Sequence, residues 1–435
     1  MNRRNLLKRI RNYSLFSSFF PFMNISTSSA KSFAKVVILG AGWGGLSAAK
    51  TIKKISPEIE VIIIDSNKQF VSCPMSNWVI GQIRNIDDIT FNFDALKNNY
   101  GIKFIHETAI NIDPDKRIII TDKQKITYDK LILSPGVQLD YSSIENWNEN
   151  YREVFPAAWK AGIETMLLSH KIKNLSNGGV VAISIPLGPY RCPPGPYERA
   201  SLIASYLKQY KKNTKLIILD SNQKIVSKGS LFKEAWDELY SDIIEYRHDS
   251  GVVGVSKASN IFMTDFEDIK CDVGNLIPPQ KAPDFLKKAG LIEKGFNWAA
   301  VNPYDFSSSI AENIFIIGDA TSQSNVGRVP KSGYVANSMG KVCGLAVIAE
   351  LFDLGRVKET GSVGLDGYDW EFFKSLREGI EYRCEGEIVE VERRLTDSGK
   401  IYDRFVFAIE LFDEDGEPVA KATSYWRLRR GKVEH

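Results

Sequence analysis

The sequence predicts an α/β protein: two Rossmann-like dinucleotide-binding domains followed by a short C-terminal antiparallel β segment. Three observations predict it. An apolar strand near the N-terminus runs into a glycine-rich turn and a helix. A second strand–helix–strand unit occupies the middle of the chain. Two further apolar strands, one on each side of that unit, end in Ser-Pro-Gly and Gly-Asp-Ala. Alternating strands and helices of this kind read as parallel sheets covered by helices.

Composition excludes several classes. At 435 residues the chain has room for two or three domains, and 25% charged residues with a net charge of +3 give no footprint for nucleic-acid binding. The four histidines, His106, His170, His248 and His435, are too scattered to build a metal site, so no metal is expected. The five cysteines, Cys73, Cys192, Cys271, Cys343 and Cys384, form neither a C-x-x-C pair nor a C-x-x-C-H haem-attachment motif. No haem is expected on this chain.

Residues 1–33 read as an export signal. "MNRRNLLKRIRNY" is basic with paired Arg3-Arg4, "SLFSSFFPFMNI" is apolar but too short to span a bilayer, and "STSSA" offers small residues for cleavage near Ala30. The paired arginines resemble a twin-arginine signal. A periplasmic, oxidising location is therefore expected, without a transmembrane segment.

The next stretch, "AKVVILGAGWGGLSAAKTIKKISPEIEVIIID", carries the first dinucleotide fingerprint. Gly40 permits the tight turn, Gly42 lets backbone amides approach a pyrophosphate, and Gly45 lets the helix pack on the sheet. The helix N-terminus supplies N–H donors for phosphate. Asp65, ending the second strand, is expected to bond a ribose hydroxyl. Later segments favour FAD over NAD. "YDKLILSPG" ends at Gly136, and "ENIFIIGDA" carries Gly318-Asp319 ahead of a helix expected to begin around Lys331 to Tyr334. The first of these resembles the strand that closes the nucleotide site in two-dinucleotide flavoproteins.

Between them lies "GGVVAISIP", then the helix "PYERASLIASYLKQY", then "KLIILD" ending in Asp220. The intervening turn, "LGPYRCPPGPYER", has no G-x-G-x-x-G, and its prolines remove backbone donors. This domain is expected to keep the fold but not the nicotinamide. Cys192 sits in that turn. Arg191, Arg199 and the adjoining helix N-terminus are expected to favour its thiolate.

Residues from about 34 to 350 resemble the flavoprotein subunit of flavocytochrome c sulfide dehydrogenase, a relative of sulfide:quinone oxidoreductases. The resemblance rests on "VSCPMSNWVIGQ", "RCPPGPYERAS", "NLIPPQKA" and "IIGDA…PKSGYVANSMGKV". It implies that Cys73 bonds the flavin 8α carbon, making FAD covalent. It also implies that Cys192 is one of two redox cysteines, and that Asp319 meets the ribityl chain. Glu198 and Lys331 are implied polar neighbours of the flavin. Sulfide would attack a disulfide, and two electrons would pass through FAD to haems on a partner c-type cytochrome. A quinone-reducing relative is the alternative.

The pattern departs from that family near Leu354, ahead of where a second redox cysteine is expected; Cys343 reads as core, and neither Cys271 nor Cys384 is a persuasive partner. Beyond Leu354 the residues alternate like half-buried strands, with "DEDGE" turning a hairpin. About three antiparallel strands are expected there, resembling the second half of a MaoC-like hot-dog domain without its catalytic part. A genuine domain exchange and a recombined reading frame both stay open, with the second slightly favoured. The expected domains are the signal at 1–33, an FAD domain at 34–148 and 272–350, a second Rossmann-like domain at 149–271 and a β fragment at 351–435. The expected function is sulfide oxidation to polysulfide or sulfur; a catalytically incompetent FAD-binding chimera is the contrasting alternative.

Overall fold

The computed structural model describes residues 34–322, 329–352, 363–374, 382–395 and 400–432. The expected export signal lies outside the described residues. Strand β1 (Lys35–Leu39) leads into helix α1 (Trp43–Ile55) and strand β2 (Glu60–Ile64). Val36, Val37 and Ile38 are fully buried, as expected of a central parallel strand covered on both faces. Strands β3 (Lys103–Ile105) and β4 (Lys130–Leu133) come after them.

A second parallel sheet comes next. Its strands are β5 (Val180–Ile185), β6 (Lys215–Asp220), β7 (Ile244–Arg247) and β8 (Val273–Leu276), in the order β7-β6-β5-β8. Helix α2 (Gly195–Tyr210) connects β5 to β6. The chain then returns to the first sheet with β9 (Ile314–Ile316), completing the all-parallel order β9-β4-β1-β2-β3. Because β2 and β4 flank β1 on opposite sides, the glycine turn opens where the strand order reverses, the usual place for a ligand in such sheets.

Both domains repeat one plan. A three-stranded antiparallel meander precedes the last-but-one strand of the first sheet (residues 109–127), and another precedes the last strand of the second (residues 252–270). The buried strand β8 pairs in parallel with β5, so the second sheet reaches Leu276 rather than stopping at the expected 271. A four-residue strand containing Gly274 and Asn275 is too short and too polar to announce itself in sequence.

Helix α3 (Gly333–Leu351) lies against α1 with the two backbones nearly touching. A Cβ on Gly340 would stand 2.3 Å from the Gly44 carbonyl oxygen, and one on Gly344 3.1 Å from that of Ala48. Cys343, on the same helix, is wholly buried, as expected of a core residue. Lys130 on β4 ties α3 to the sheet through Glu350 and also donates to Asn313, just before β9.

The C-terminal segment forms four antiparallel strands rather than three: β10 (Val363–Phe372), β11 (Arg383–Leu395), β12 (Lys400–Phe412) and β13 (Pro418–Lys432), ordered β10-β13-β12-β11. The glycine of the "DEDGE" hairpin, Gly416, has φ +83°, the left-handed turn conformation that glycine adopts without cost. No helix among the described residues is long and apolar enough to cross a membrane.

Replacing Gly340 with Ala is expected to force α3 off α1, costing about 1–3 kcal/mol as overpacking does, and to lower the thermal midpoint. An unchanged melting curve would show that the close helix approach carries no such constraint.

Candidate flavin and thiol site

The glycine turn builds one wall of the site. Gly40 has φ +103°, and its N–H donates to the Ile64 carbonyl at 2.9 Å. A Cβ there would collide with the Ser134 carbonyl oxygen at 2.2 Å, and one on Gly45 with that of Gly40 at 2.0 Å. Those two positions therefore have to be glycine. Gly42, which precedes α1, and Gly136, in the turn after β4, differ: a Cβ on either would meet no protein atom within 4 Å. They line a cradle with bare backbone, as a pyrophosphate site requires.

Asp65 stands at the end of β2. One carboxylate oxygen accepts the Ala41 N–H at 2.7 Å, and the other accepts from the backbone and side chain of Asn67 at 2.8 and 2.9 Å. It braces the glycine turn from below, and a carboxylate keeps lone pairs for a ribose hydroxyl as well.

The opposite wall continues from β9. Gly318 and Asp319 form a tight turn, and α3 begins at Gly333 with the Ser332 hydroxyl accepting from Val335 N, within the expected range. Lys331 is buried. Its ammonium donates to the carbonyls of Asp319 (2.8 Å) and Thr321 (2.7 Å) and lies 3.7 Å from the centre of the Trp298 ring. Burial lowers its pKa to about 8. Burial likewise raises that of Asp319, against the pull of Arg191 and Lys331. Lys331 thus knits the Asp319 turn to the start of α3.

Cys192 lies beside the second of these walls, half-buried. Its φ of +57° is a left-handed conformation, costly for a side chain with a Cβ and further disfavoured before Pro193. Two backbone bonds hold it there: Cys192 N–H donates to the Lys331 carbonyl at 2.7 Å, and Gly195 N–H donates to the Cys192 carbonyl at 2.8 Å. Strain so clamped is a common mark of a working residue. Contrary to expectation, the setting does not favour the thiolate. Burial pushes the Cys192 thiol up, the Glu198 carboxylate adds to that, and Arg191 only partly opposes them.

Arg199 directs its donors to oxygens rather than to the thiol. It is 1% exposed, and its guanidinium donates to Asn77 Oδ1 (2.9 Å), Asn275 Oδ1 (2.8 Å) and the carbonyls of Ala157 (3.0 Å) and Ala158 (2.7 Å). It also lies over the Trp159 ring at 4.8 Å. Asn77 in turn donates to the Gly195 carbonyl and to Glu198. Cys73, three residues before the short helix Ser76–Ile80, accepts from Ala161 N at 3.4 Å. The segments bearing Cys73 and Cys192 therefore meet around residues 157–161. Cys271 and Cys343 are buried and Cys384 is exposed on β11; neither Cys73 nor Cys192 is in a disulfide.

The corresponding acid of the second domain is engaged within its own fold. Asp220, at the end of β6 where a nicotinamide-binding domain offers its acid, is fully buried. It accepts from Tyr197 Oη (2.7 Å), Tyr246 Oη (2.9 Å) and the backbone and side chain of Asn222 (2.9 and 2.7 Å). Four donors from its own domain thus converge on this carboxylate.

The residues fit a bound flavin. Three buried donors, Arg191 Nη2, Gln280 Nε2 and Trp159 Nε1, have no partner among the described residues. They flank the Cys192 turn: Gln280 Oε1 accepts from Arg191 N at 2.9 Å, and a Cβ on Gly195 would stand 3.0 Å from both Trp159 and Cys192 Sγ. Buried donors of this kind need acceptors, which an isoalloxazine ring carries along its pyrimidine edge. Asn77, Asn275 and Gln280 were not singled out from sequence, although each lies in a stretch that carries the family resemblance, "VSCPMSNWVIGQ" or "NLIPPQKA". Trp159 gave no signal.

Comparison with known proteins agrees. Residues 34–161 match the pyridine nucleotide-disulphide oxidoreductase family, and residues 165–278 match the central part of the sulfide dehydrogenase (flavocytochrome c) flavoprotein chain. The mitochondrial sulfide:quinone oxidoreductase of Mus musculus is 23% identical over 305 residues, covering 67% of each chain. The sulfide dehydrogenase (flavocytochrome c) flavoprotein chain of Chlorobaculum thiosulfatiphilum is 44% identical over 45 residues, which are 10% of this chain and 94% of that sequence. Among solved structures, the sulfide:quinone oxidoreductase of Aquifex aeolicus superposes with a TM-score of 0.65 at 18% identity, covering 89% of this chain and 87% of that one.

Replacing Arg199 with Met keeps the bulk but leaves two amide oxygens and two carbonyls facing an apolar group. We expect a loss of about 3–5 kcal/mol in chemical denaturation. A loss below about 1 kcal/mol would show that Arg199 does not hold these segments together.

Proposed function

This chain belongs to the flavoprotein family of the sulfide dehydrogenase (flavocytochrome c) flavoprotein chains and sulfide:quinone oxidoreductases, and we propose that it oxidises sulfide at Cys192 and passes the electrons to a c-type cytochrome. As a member it is an FAD-binding oxidoreductase. One observation carries the finer reading: the turn where a nicotinamide fingerprint would lie holds a clamped thiol instead, and the nucleotide-binding acid Asp220 is saturated by its own domain. The reducing substrate therefore meets the site through sulfur chemistry.

Bound FAD supplies a two-electron acceptor that can release electrons singly. The chain's residues do the rest. Gly40, Gly42 and Gly45, with Asp65, hold the dinucleotide end, Gly136 lines the cradle, and Gly318, Asp319 and Lys331 form the facing wall. Joining hydrogen sulfide to the Cys192 thiol as a persulfide forms one S–S bond and releases two protons and two electrons. The electrons match that acceptor, and Glu198 and solvent take the protons. A monothiol balances this step, so no second redox cysteine is required. A further sulfide or polysulfide thiolate then lifts the outer sulfur away by exchange and restores the thiol.

Cys73 is the residue we assign to a thioether with the flavin. Covalent attachment suits a protein exported through the basic, paired-arginine N-terminus into a periplasmic compartment that supplies no FAD. Cytochrome is favoured as acceptor by the match to the flavocytochrome c chain over residues 165–278, the part that carries Cys192. Quinone is the competing acceptor, favoured by the longer similarity to the Mus musculus protein.

Purified Cys192→Ser protein is expected to retain its flavin but to lose sulfide-dependent cytochrome c reduction at least a hundredfold. Cys73→Ala protein should release its flavin in acid, whereas the unaltered protein keeps it. Unchanged turnover in Cys192→Ser removes the thiol from the mechanism. Flavin released by acid from the unaltered chain dismisses the thioether, and faster reduction of a quinone than of cytochrome c selects the competing acceptor.

A further inference from the structure

Asn77 is buried, and all its polar atoms are used. Its Nδ2 donates to the Gly195 carbonyl (3.0 Å) and to Glu198 Oε2 (2.8 Å), while Oδ1 accepts from Arg199 Nε (2.9 Å). Among short side chains only a carboxamide offers two donors and an acceptor at this reach. Aspartate donates nothing, serine has a single donor, and leucine makes none of the three bonds.

The contacts of Asn77 give it leverage over Cys192. Gly195 packs directly on the sulfur, since a Cβ there would stand 3.0 Å from Cys192 Sγ, and its N–H holds the Cys192 carbonyl. Glu198 is three residues further along α2, so it shares a helix face with Gly195. The short helix that carries Asn77 is pressed against α2 as well: a Cβ on Gly81 would come within 3.0 Å of Leu202. The carboxamide therefore bridges the Cys73 segment to the Cys192 turn at a rigid contact.

We infer that Asn77 is a positioning residue: its amide seats on Arg199 and holds the Glu198 carboxylate and the Gly195 backbone in register with Cys192. The groups whose charge acts on Cys192 are Tyr190, Arg191, Glu198, Arg199 and Cys73. Of these, Glu198 contributes most after burial in holding the proton on the thiol. Of the two groups that Asn77 holds there, the carboxylate of Glu198 carries the charge. Asn77 thus acts on the thiol through Glu198 without touching the sulfur.

This inference rests on Cys192 as the working thiol, but its test does not need sulfide to react. The pH dependence of Cys192 alkylation by iodoacetamide is tracked by peptide mass spectrometry in the holoprotein, in four chains: unaltered, Glu198→Gln, Asn77→Ser and the double variant. Glu198→Gln is expected to move the midpoint to lower pH in the unaltered background. In the Asn77→Ser background that shift should shrink by at least half, because the carboxylate is no longer held in place. Should Asn77→Ser fail to fold, Asn77→Asp keeps the acceptor for Arg199, loses both donors and serves in the same cycle. An equal shift in both backgrounds, or no shift from Glu198→Gln in the unaltered chain, overturns the inference.

Discussion

The buried Arg199 guanidinium is the interaction on which the site depends. A cation with 1% exposure survives only where fixed dipoles replace water, and four oxygens from three separate stretches of chain do so here. Asn77 brings the segment after Cys73, Ala157 and Ala158 bring the stretch ahead of β5, and Asn275 brings β8. Arg199 itself stands on the first turns of α2, just after Cys192. Satisfying one charge therefore sets the mutual placement of both candidate cysteines.

The second constraint is the different use that two like folds make of one position. Both domains keep parallel strands with an acid at the end of the second strand, yet the two acids have different fates. Asp65 props a glycine turn whose Gly42 leaves backbone bare, while Asp220 is enclosed by two tyrosines and an asparagine. The first arrangement leaves a cradle that suits a dinucleotide. The second spends its acid on internal hydrogen bonds, and the turn after β5 carries Cys192. Strain at that cysteine is absorbed by the Lys331 carbonyl, so the flavin-side wall and the thiol turn are one mechanical unit.

Much of this was legible in the sequence because strands buried on both faces leave continuous apolar runs, as in "KVVIL" and "KLIILD", and because Gly40 and Gly45 admit no side chain. Cys343 was legible as core for the same reason. Strand β8 was not, since its four residues carry no period. The fate of Asp220 depends on Tyr246, 26 residues away, which no local pattern records. Judging the thiol from Arg191 and Arg199 failed because neighbourhood in sequence says nothing about direction. Arg199 turns to carbonyls, and the carboxylate of Glu198 is the charge that Cys192 feels most.

The central claim is that a thiol has replaced a nicotinamide as the route by which electrons enter. Anaerobic mixing of the oxidised flavoprotein with sulfide, and separately with NADH and NADPH, tests it most directly through the flavin absorbance. The account predicts bleaching by sulfide and none by either nucleotide. Bleaching by a nucleotide with sulfide inert would mean that the second domain still binds its dinucleotide and that Cys192 is not the point of entry.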